Sequence, residues 1–298
     1  MGVFKKKTTL VHHITYMGIM TAINLILIVL AYYFQFLMFL LILFLPFVSA
    51  IVSYYCLKRY YPVYAIASIG LCLIFNIGDT IFCLVPAVIT GFMIGLLLEK
   101  KINPLWLILS STIIESALTF AFIPLINLIS GVEDIVSYAF ALVHLQNVSY
   151  KTEITFLFIF TISLIQSVLT HFVLLTDAKK IGIEVNLNVA SYGPYIVGTE
   201  TAIALSLAFS FFYLPLALVF FAISIYFAIF LLIDLILSKK TLVYILLGVL
   251  LLVSFFAFAL MYTKITHPLG LLILVIFPFI IALVDFVNNY LLKGTNNN

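Results

Sequence analysis

The sequence predicts an all-α protein, a polytopic transmembrane helical bundle of about ten spans. Hydrophobic residues make up 65% of its 298 residues and charged residues only 8%, whereas soluble domains carry roughly 25% charged residues. Uninterrupted apolar runs recur along the whole chain, many of them close to the roughly 20 residues that cross a bilayer as a helix. An outer-membrane barrel is excluded because its strands show short alternating segments instead.

The polar breaks between the apolar runs place the individual spans. Eight to ten spans are compatible with the pattern, and ten fit best. They are about 11–33, 36–57, 63–78, 81–98, 104–127, 154–176, 195–212, 215–237, 242–262 and 268–291. The third is short enough to be tilted or re-entrant. The polar stretch at about 177–194 separates six spans from four, which predicts an N-terminal region 1–185 and a C-terminal region 186–298, or one continuous domain.

Basic residues give the predicted orientation. If the N-terminus is cytoplasmic, only Lys151 and Lys264 of the 14 basic residues fall in outer loops. This bias is a strong positive-inside signal, and it predicts that both termini are cytoplasmic. The other twelve are Lys5, Lys6, Lys7, Lys58, Arg59, Lys100, Lys101, Lys179, Lys180, Lys239, Lys240 and Lys293. The net charge of +3 is small and scattered, so we expect no nucleic-acid partner.

The fifth span carries an acid, Glu115, almost at its centre. A carboxylate at that depth costs roughly 2.5–3.5 kcal/mol or more unless it is protonated, paired or hydrated. Hydroxyl side chains surround it, so one side of this helix must face protein or water. They are Ser110, Ser111, Ser116 and Thr119. Glu115 therefore lines a functional cavity or is a protonated, hydrogen-bonded structural carboxyl.

Two amide side chains lie at a similar predicted depth. Asn24 on the first span and Gln166 on the sixth are candidate hydrogen-bond partners of Glu115, and with it candidate substrate-binding residues. His171 lies about one turn from Gln166 and either lines the same cavity or is a packing histidine.

Polar residues also interrupt the apolar pattern at the predicted outer end. Asn76, Asp79 and Thr80 lie between the third and fourth spans, where Asn76 and Asp79 either rim a ligand site or form an ordinary solvated turn. Three acids near the predicted inner boundary are expected to snorkel or to pair with loop lysines. They are Glu200, Asp234 and Asp285.

Small residues four apart occur on two spans. Gly18 and Ala22 lie on the first span, and Gly91 and Gly95 on the fourth. This spacing lets another membrane helix approach closely. Each pair either packs against a helix of the same chain or contacts a partner subunit.

Several chemistries have no sequence support. The chain has no Gly-x-x-x-x-Gly-Lys phosphate loop, and His12 and His13 are adjacent rather than spaced for a helical zinc site. The cysteines lie within apolar runs and resemble buried hydrophobic residues. They are Cys56, Cys72 and Cys83. We therefore expect no enzyme activity, cofactor or metal site.

The chain resembles a known membrane-protein family over most of its length. The first half is similar to the substrate-binding (S) components of energy-coupling factor, or ECF-type, vitamin transporters. The similarity rests on HHITYMGIMTAINLILIVL, FLPFVSAIVSYYCLKRYYPVYAIASIG and VPAVITGFMIGLLLEKKINP. The whole chain more specifically resembles the YybS-like membrane proteins of Firmicutes, on the evidence of LIQSVLTHFVLLTDAKKIGIEVN and PFIIALVDFVNNYLLK.

The resemblance implies a bacterial cell membrane, six S-component-like helices and about four more. It implies that Gly18 and Ala22 contact a transmembrane coupling subunit, which works with separate ATPase subunits. By location it also implies that Asn76, Asp79 and Glu115 bind a small solute taken from the outer face. The alternative from the residues themselves is a structural or regulatory membrane protein that binds partners or lipid. A proton-linked carrier using Glu115 is a third hypothesis.

Overall fold

The computed structural model describes residues 7–34, 44–130, 136–137, 151–176, 193–237, 245, 248–249 and 275–291. Regular secondary structure in these ranges is helical throughout. The longer helices are α1 (Leu10–Tyr33), α2 (Leu45–Tyr55), α3 (Tyr61–Phe75), α4 (Ile77–Glu99), α5 (Pro104–Ser130), α6 (Lys151–Thr176), α7 (Gly193–Ser210), α8 (Leu214–Leu237) and α9 (Ile276–Phe286). A 3₁₀ turn, Lys58–Tyr60, joins α2 to α3, and π-helical turns occupy Thr80–Leu84 within α4 and Val287–Leu291 after α9.

The predicted class of protein is confirmed at the level of a polytopic helical membrane protein. Among the described residues, five helices are long and apolar enough to cross a membrane, namely α1, α4, α5, α6 and α8. The predicted break between the third and fourth spans is observed at Asn76, whose backbone is extended. The short third span corresponds to α3, which has 15 residues.

Some predicted segments lie outside the described residues. They are the start of the second span at 36–43, most of the 128–153 loop, nearly all of the 177–194 loop, most of the ninth span at 242–262, and the start of the tenth at 268–274. The count of about ten spans therefore stays a prediction.

The chain divides into two compact units. Unit 1 comprises Met1–Ile135 with Phe158–Val189, and unit 2 comprises Val136–Leu157 with Ala190–Asn298. The division falls within α6, whose first residues belong to unit 2.

In unit 1 the closest helix packing joins α2 to α4 through two glycines. A Cβ atom added to Gly91 would lie 2.4 Å from the Ser49 Cβ, and one added to Gly95 would lie 2.5 Å from the Ser53 Cβ. Both distances are shorter than any normal contact, so only glycine fits at these positions. Interior packing, one of the two roles left open for this pair, is the observed role.

Side-chain caps start several of the helices. The Thr9 hydroxyl accepts a hydrogen bond from the His12 backbone N–H at the start of α1. The Asn103 side chain likewise accepts from the Leu105 N–H at the start of α5. These bonds satisfy backbone donors that have no partner within the helix.

A tight turn connects α4 to α5. Lys101 adopts a positive φ of 53°. The N–H groups of Lys101 and Ile102 donate to the carbonyl groups of Leu98 and Leu97. This double closure is the Schellman pattern, which normally places glycine at the left-handed position. The sequence therefore lacks the glycine that normally marks this helix end, although the backbone adopts the helix-ending geometry.

Three basic segments of unit 1 lie at the same end. The backbone N–H of Lys7, just before α1, donates to the Tyr55 carbonyl at the end of α2. Lys58 forms a 2.8 Å ion pair with Glu99 at the end of α4. The charge pattern predicts that all of these residues lie on one side of the membrane, and the structure brings them together. We call this the basic end of unit 1.

In unit 2, α7 and α8 form a hairpin with a short turn, and α9 packs against both. The Ser206 hydroxyl of α7 donates to the Ala217 carbonyl of α8 over 2.9 Å. Apolar clusters at Leu214–Leu218, around Phe221 and around Leu235 hold the three helices together.

We expect enlargement of Gly91 to leucine to destabilise unit 1, because the new side chain meets α2 backbone atoms that cannot move aside. Overpacking of this kind costs roughly 1–3 kcal/mol or more. The thermal unfolding temperature in detergent should fall. The matched control is Gly18→Leu on α1, where an added Cβ meets nothing within 4 Å. Equal unfolding temperatures for the two variants would contradict the described α2–α4 contact.

Candidate functional site

Helix α5 buries its polar side. Glu115 is only 2% exposed, and the buried residues around it recur at helical spacing. They are Ser111, Thr112, Ser116 and Thr119. The opposite side of α5 is apolar and exposed, with Trp106 and Ile113 among its residues. This arrangement is the reverse of a soluble helix and suits a helix with lipid on its outside.

Helix α6 repeats the arrangement within unit 1. Its buried polar residues fall at positions i, i+3, i+4, i+7 and i+8, which form one continuous stripe. They are Ser163, Gln166, Ser167, Thr170 and His171. Gln166 and His171 therefore lie on one face, as their spacing suggested, and three hydroxyl residues share it.

Several of these buried polar atoms have no hydrogen-bond partner among the described residues. On α5 they are the Thr112 hydroxyl and one carboxyl oxygen of Glu115, Oε2. On α6 they are the hydroxyl groups of Ser167 and Thr170 and both ring nitrogens of His171. Buried polar groups in native proteins are nearly always paired with protein or with ordered water. The two stripes therefore have hydrogen-bonding capacity for water or a polar ligand.

The start of α4 adds an acid and a thiol to the surroundings of Glu115. The N-terminal part of α4 packs against α5, and the Cys83 thiol lies within electrostatic reach of both the Asp79 and Glu115 carboxyl groups. Two of the predicted site residues, Asp79 and Glu115, are thus brought to one region of unit 1.

The α4 backbone is irregular at the same place. The Val85 N–H donates to the Thr80 carbonyl, five residues back. Pro86 follows and has no N–H to continue the regular i to i−4 pattern. Single π turns of this kind occur frequently at functional sites. The widened turn contains Cys83, next to the candidate site.

Asn76 and Asp79 have a local structural role. The Asn76 side chain accepts a hydrogen bond from the Asp79 N–H at 3.0 Å and donates to the Asp79 carboxylate at 2.8 Å. The Thr80 hydroxyl donates to the Asn76 carbonyl. These bonds cap α4 at the turn between α3 and α4. Both side chains remain partly exposed.

Asn24 takes part in a different network from the one predicted. Its Nδ2 atom donates to the Tyr64 hydroxyl over 2.7 Å, and that hydroxyl lies 3.1 Å from the Ser49 hydroxyl. Thr21 and Ser68 form a second α1–α3 bond at 3.0 Å. The described contacts of Asn24 therefore join α1, α2 and α3, and its donor is used by Tyr64. Tyr64 gave no polar signal in the sequence because tyrosine is common in membrane helices.

The Gly18–Ala22 pair lies on the outside of unit 1. Both residues are exposed, and no atom lies within 4 Å of a Cβ built on Gly18. Exposed Ile14 and Ile19 flank the pair. This open face of α1 differs from the filled contact at Gly91, although the two sequence patterns are alike.

Unit 2 contains a polar cluster of Asp234, Asp285 and Asn289, of which sequence reasoning named the two acids but not Asn289 or their association. The Asn289 side chain donates to Asp234 on α8 over 3.0 Å and to Asp285 on α9 over 2.9 Å. Asp285 has no exposed surface, so it does not snorkel to the interface as expected. The spacing of Asp285 and Asn289, one turn apart beside a π turn, was the available signal.

Unit 2 also has an open groove of about 610 Å³ between α7 and α8. Its walls are almost entirely apolar. They are formed by Pro194, Val197, Gly198, Thr201, Ala202, Leu205, Phe220, Ile223 and Phe227. Such a groove offers few orienting contacts to a polar solute. Unit 1 is therefore the better place for a polar ligand.

No group of three or more metal-ligating side chains was found in the described part of the chain. The three cysteines are buried free thiols. Comparison with protein-family models, with curated proteins and with solved structures finds no match to this chain. The family resemblance therefore stays a prediction.

Removal of the Tyr64 hydroxyl should weaken the α1–α2–α3 network, because the Asn24 donor then remains buried without its partner. We expect Tyr64→Phe to lower the free energy of unfolding by about 1 kcal/mol. Unfolding in mixed detergent micelles measures this change in the free energy of unfolding. Tyr33→Phe, on the exposed end of α1, is the control and should have no effect. An unchanged stability of Tyr64→Phe would show that the network contributes nothing.

Proposed function

We propose that this protein is a substrate-binding or transport-related membrane subunit that captures a small polar solute from the outer face of a bacterial cell membrane. The observation that carries the proposal is the pair of buried polar stripes on α5 and α6, with Glu115 at the centre of one. A membrane helix gains nothing by burying unpaired hydroxyl, imidazole and carboxyl groups unless water or a ligand satisfies them.

The proposal assigns a role to each predicted binding residue. Glu115 accepts or donates the central hydrogen bond to the solute, and Gln166 offers an amide from α6. Asp79 contributes through the start of α4, which Asn76 holds in place by capping. Asn24 acts indirectly, because it donates a hydrogen bond to the Tyr64 hydroxyl and so orients that side chain.

The proposed membrane topology follows from the charge pattern. About ten spans and two cytoplasmic termini place the basic end of unit 1 in the cytoplasm and Asn76 at the outer face. The protein acts without a cofactor and is not an enzyme. In this proposal the energy comes from other subunits, namely ECF-type ATPases and a coupling protein, as the resemblance implies.

The solute should depend on Glu115. We expect Glu115→Gln, purified from the native host in mild detergent, to lose the co-purifying small molecule by about 10-fold or more, because a hydrogen bond to a charged group contributes roughly 1.5–3 kcal/mol. Mass spectrometry of the small-molecule fraction measures it. Ser110→Ala is the control, since that hydroxyl already donates to carbonyl groups of its own helix. Equal solute recovery from both variants, or none from the wild type, would reject the binding role.

A second candidate function is a non-transporting structural or regulatory protein that binds partners or lipid. The exposed Gly18–Ala22 face favours it, because a small-residue face with open space above it suits close approach by another membrane helix. Both functions use this face, and they differ in the partner that it contacts.

Partner recovery separates the two functions. Enlargement of Gly18 and Ala22 to leucine should abolish co-purification of the partner and leave folding intact, because both residues are exposed and a Cβ built on Gly18 meets no other described part of the chain. Gly70→Leu on α3 is the matched control, since this exposed glycine also has open space at its Cβ position. An ATPase pair with a coupling protein would support transport. Envelope, division or signalling proteins without a solute would support the second function.

A further inference from the structure

The basic end of unit 1 contains cations that are framed by tyrosine rings. The Lys7 ammonium lies 4.3 Å from the centre of the Tyr16 ring. The Arg59 guanidinium lies 4.7 Å from the centre of the Tyr60 ring, and the His13 ring lies 5.1 Å from the same tyrosine. Lys7 lies just before α1, His13 lies in its first turn and Arg59 lies in the turn before α3, and the contacts among α1, α2 and α3 bring them together.

His13 is the informative residue of this cluster. It is 1% exposed, and neither ring nitrogen has a hydrogen-bond partner among the described residues. Arg59, His12 and Lys7 are close enough to interact with it electrostatically. An imidazole always has at least one N–H donor, so this side chain has a donor without a partner among the described residues.

Lys58 and Arg59 differ in their acidic partners within the described residues. Glu99 is paired with Lys58 at 2.8 Å. Arg59 has no acidic partner in the described part of the chain, and its described contact is with the Tyr60 ring. Helix α1 begins here without an acid in its first turn, so the positive end of its dipole adds to the same field. An anion with several acceptor oxygens would pair with Arg59 and would be stabilised by the N-terminus of α1.

The residue types in the cluster indicate the level of the lipid headgroups, and this level indicates which anion binds there. Tyrosine rings and basic side chains together are typical of the level of the lipid headgroups. Exposed apolar residues of α1, Val11 and Ile14, lie beside the cluster, where acyl chains would continue from a headgroup. Basic pockets of this kind between membrane helices bind the headgroups of anionic lipids.

We propose that Lys7, His13, Arg59 and the N-terminus of α1 form a binding site for the phosphate of an anionic phospholipid in the cytoplasmic leaflet. The phosphodiester oxygens accept from the guanidinium and the ammonium group, and one of them reaches the His13 donor. This site is separate from the polar stripes of unit 1 and does not depend on solute capture.

The test uses the full-length protein in detergent, titrated with dioleoyl phosphatidylglycerol and, in parallel, with dioleoyl phosphatidylcholine. Native mass spectrometry counts bound lipids, and the shift in unfolding temperature reports the same event. Phosphatidylglycerol should bind with a defined stoichiometry and stabilise the protein. Equal binding of the two lipids would overturn the proposal.

Neighbouring residues provide matched variants. We expect Arg59→Gln together with Lys7→Gln to weaken phosphatidylglycerol binding about 10-fold or more, since each basic residue near an anionic surface contributes substantially to binding. Lys100→Gln removes an exposed charge at the same end that is outside the proposed site, so binding should be unchanged. An equal loss in Lys100→Gln would mean that only the general positive charge matters, and would refute a specific site.

Two further arms complete the test. His13→Phe keeps the contact with Tyr60 and removes the donor, so it should weaken phosphatidylglycerol binding without lowering the unfolding temperature of the lipid-free protein. Unchanged lipid binding in His13→Phe would remove the buried imidazole from the site and overturn the proposal as stated. Inorganic phosphate should not reproduce the stabilisation. If it does, the ligand is a soluble phosphate and the lipid assignment fails.

Discussion

Hydrogen bonding in the membrane interior is the constraint on which the rest of unit 1 depends. Lipid supplies no donors or acceptors, so every polar side chain at depth must find a partner in the protein or in a hydrated space. The Asn24, Tyr64 and Ser49 bonds meet this requirement and at the same time set the mutual positions of α1, α2 and α3. The buried side chains of α5 and α6 meet it only in part, and this difference separates a structural network from a candidate binding region.

Close backbone contact works alongside these hydrogen bonds. Association of helices in a bilayer gains little from the hydrophobic effect, so packing at short range supplies much of the stability. Gly91 and Gly95 let α4 approach α2 until main-chain atoms nearly touch. Gly18 and Ala22 follow the same spacing but lie on an open surface. The same short pattern thus serves interior packing in one helix and leaves a free face in another.

Two irregular turns lie beside acids, one of them partly exposed and the other buried. One precedes Pro86, near Cys83 and Asp79, and the other follows Asp285. A π turn shifts the register of a helix by one residue and so redirects its side chains. In unit 2 this geometry allows Asn289 to reach Asp234 and Asp285 together. In unit 1 the turn contains Cys83, in the part of α4 that packs against α5.

The sequence by itself determined the membrane class, the approximate bounds of most described helices and the burial of the side of α5 that holds Glu115. These features follow from the length of apolar runs and the cost of a charge at depth, both of which are local. Only the tertiary structure decided which neighbours each polar group has. It gave the Asn24 donor to Tyr64, buried Asp285 and brought Lys7 to Tyr55. Such pairings join residues tens of positions apart, and helical periodicity gives the face of a helix but not the helix that it meets.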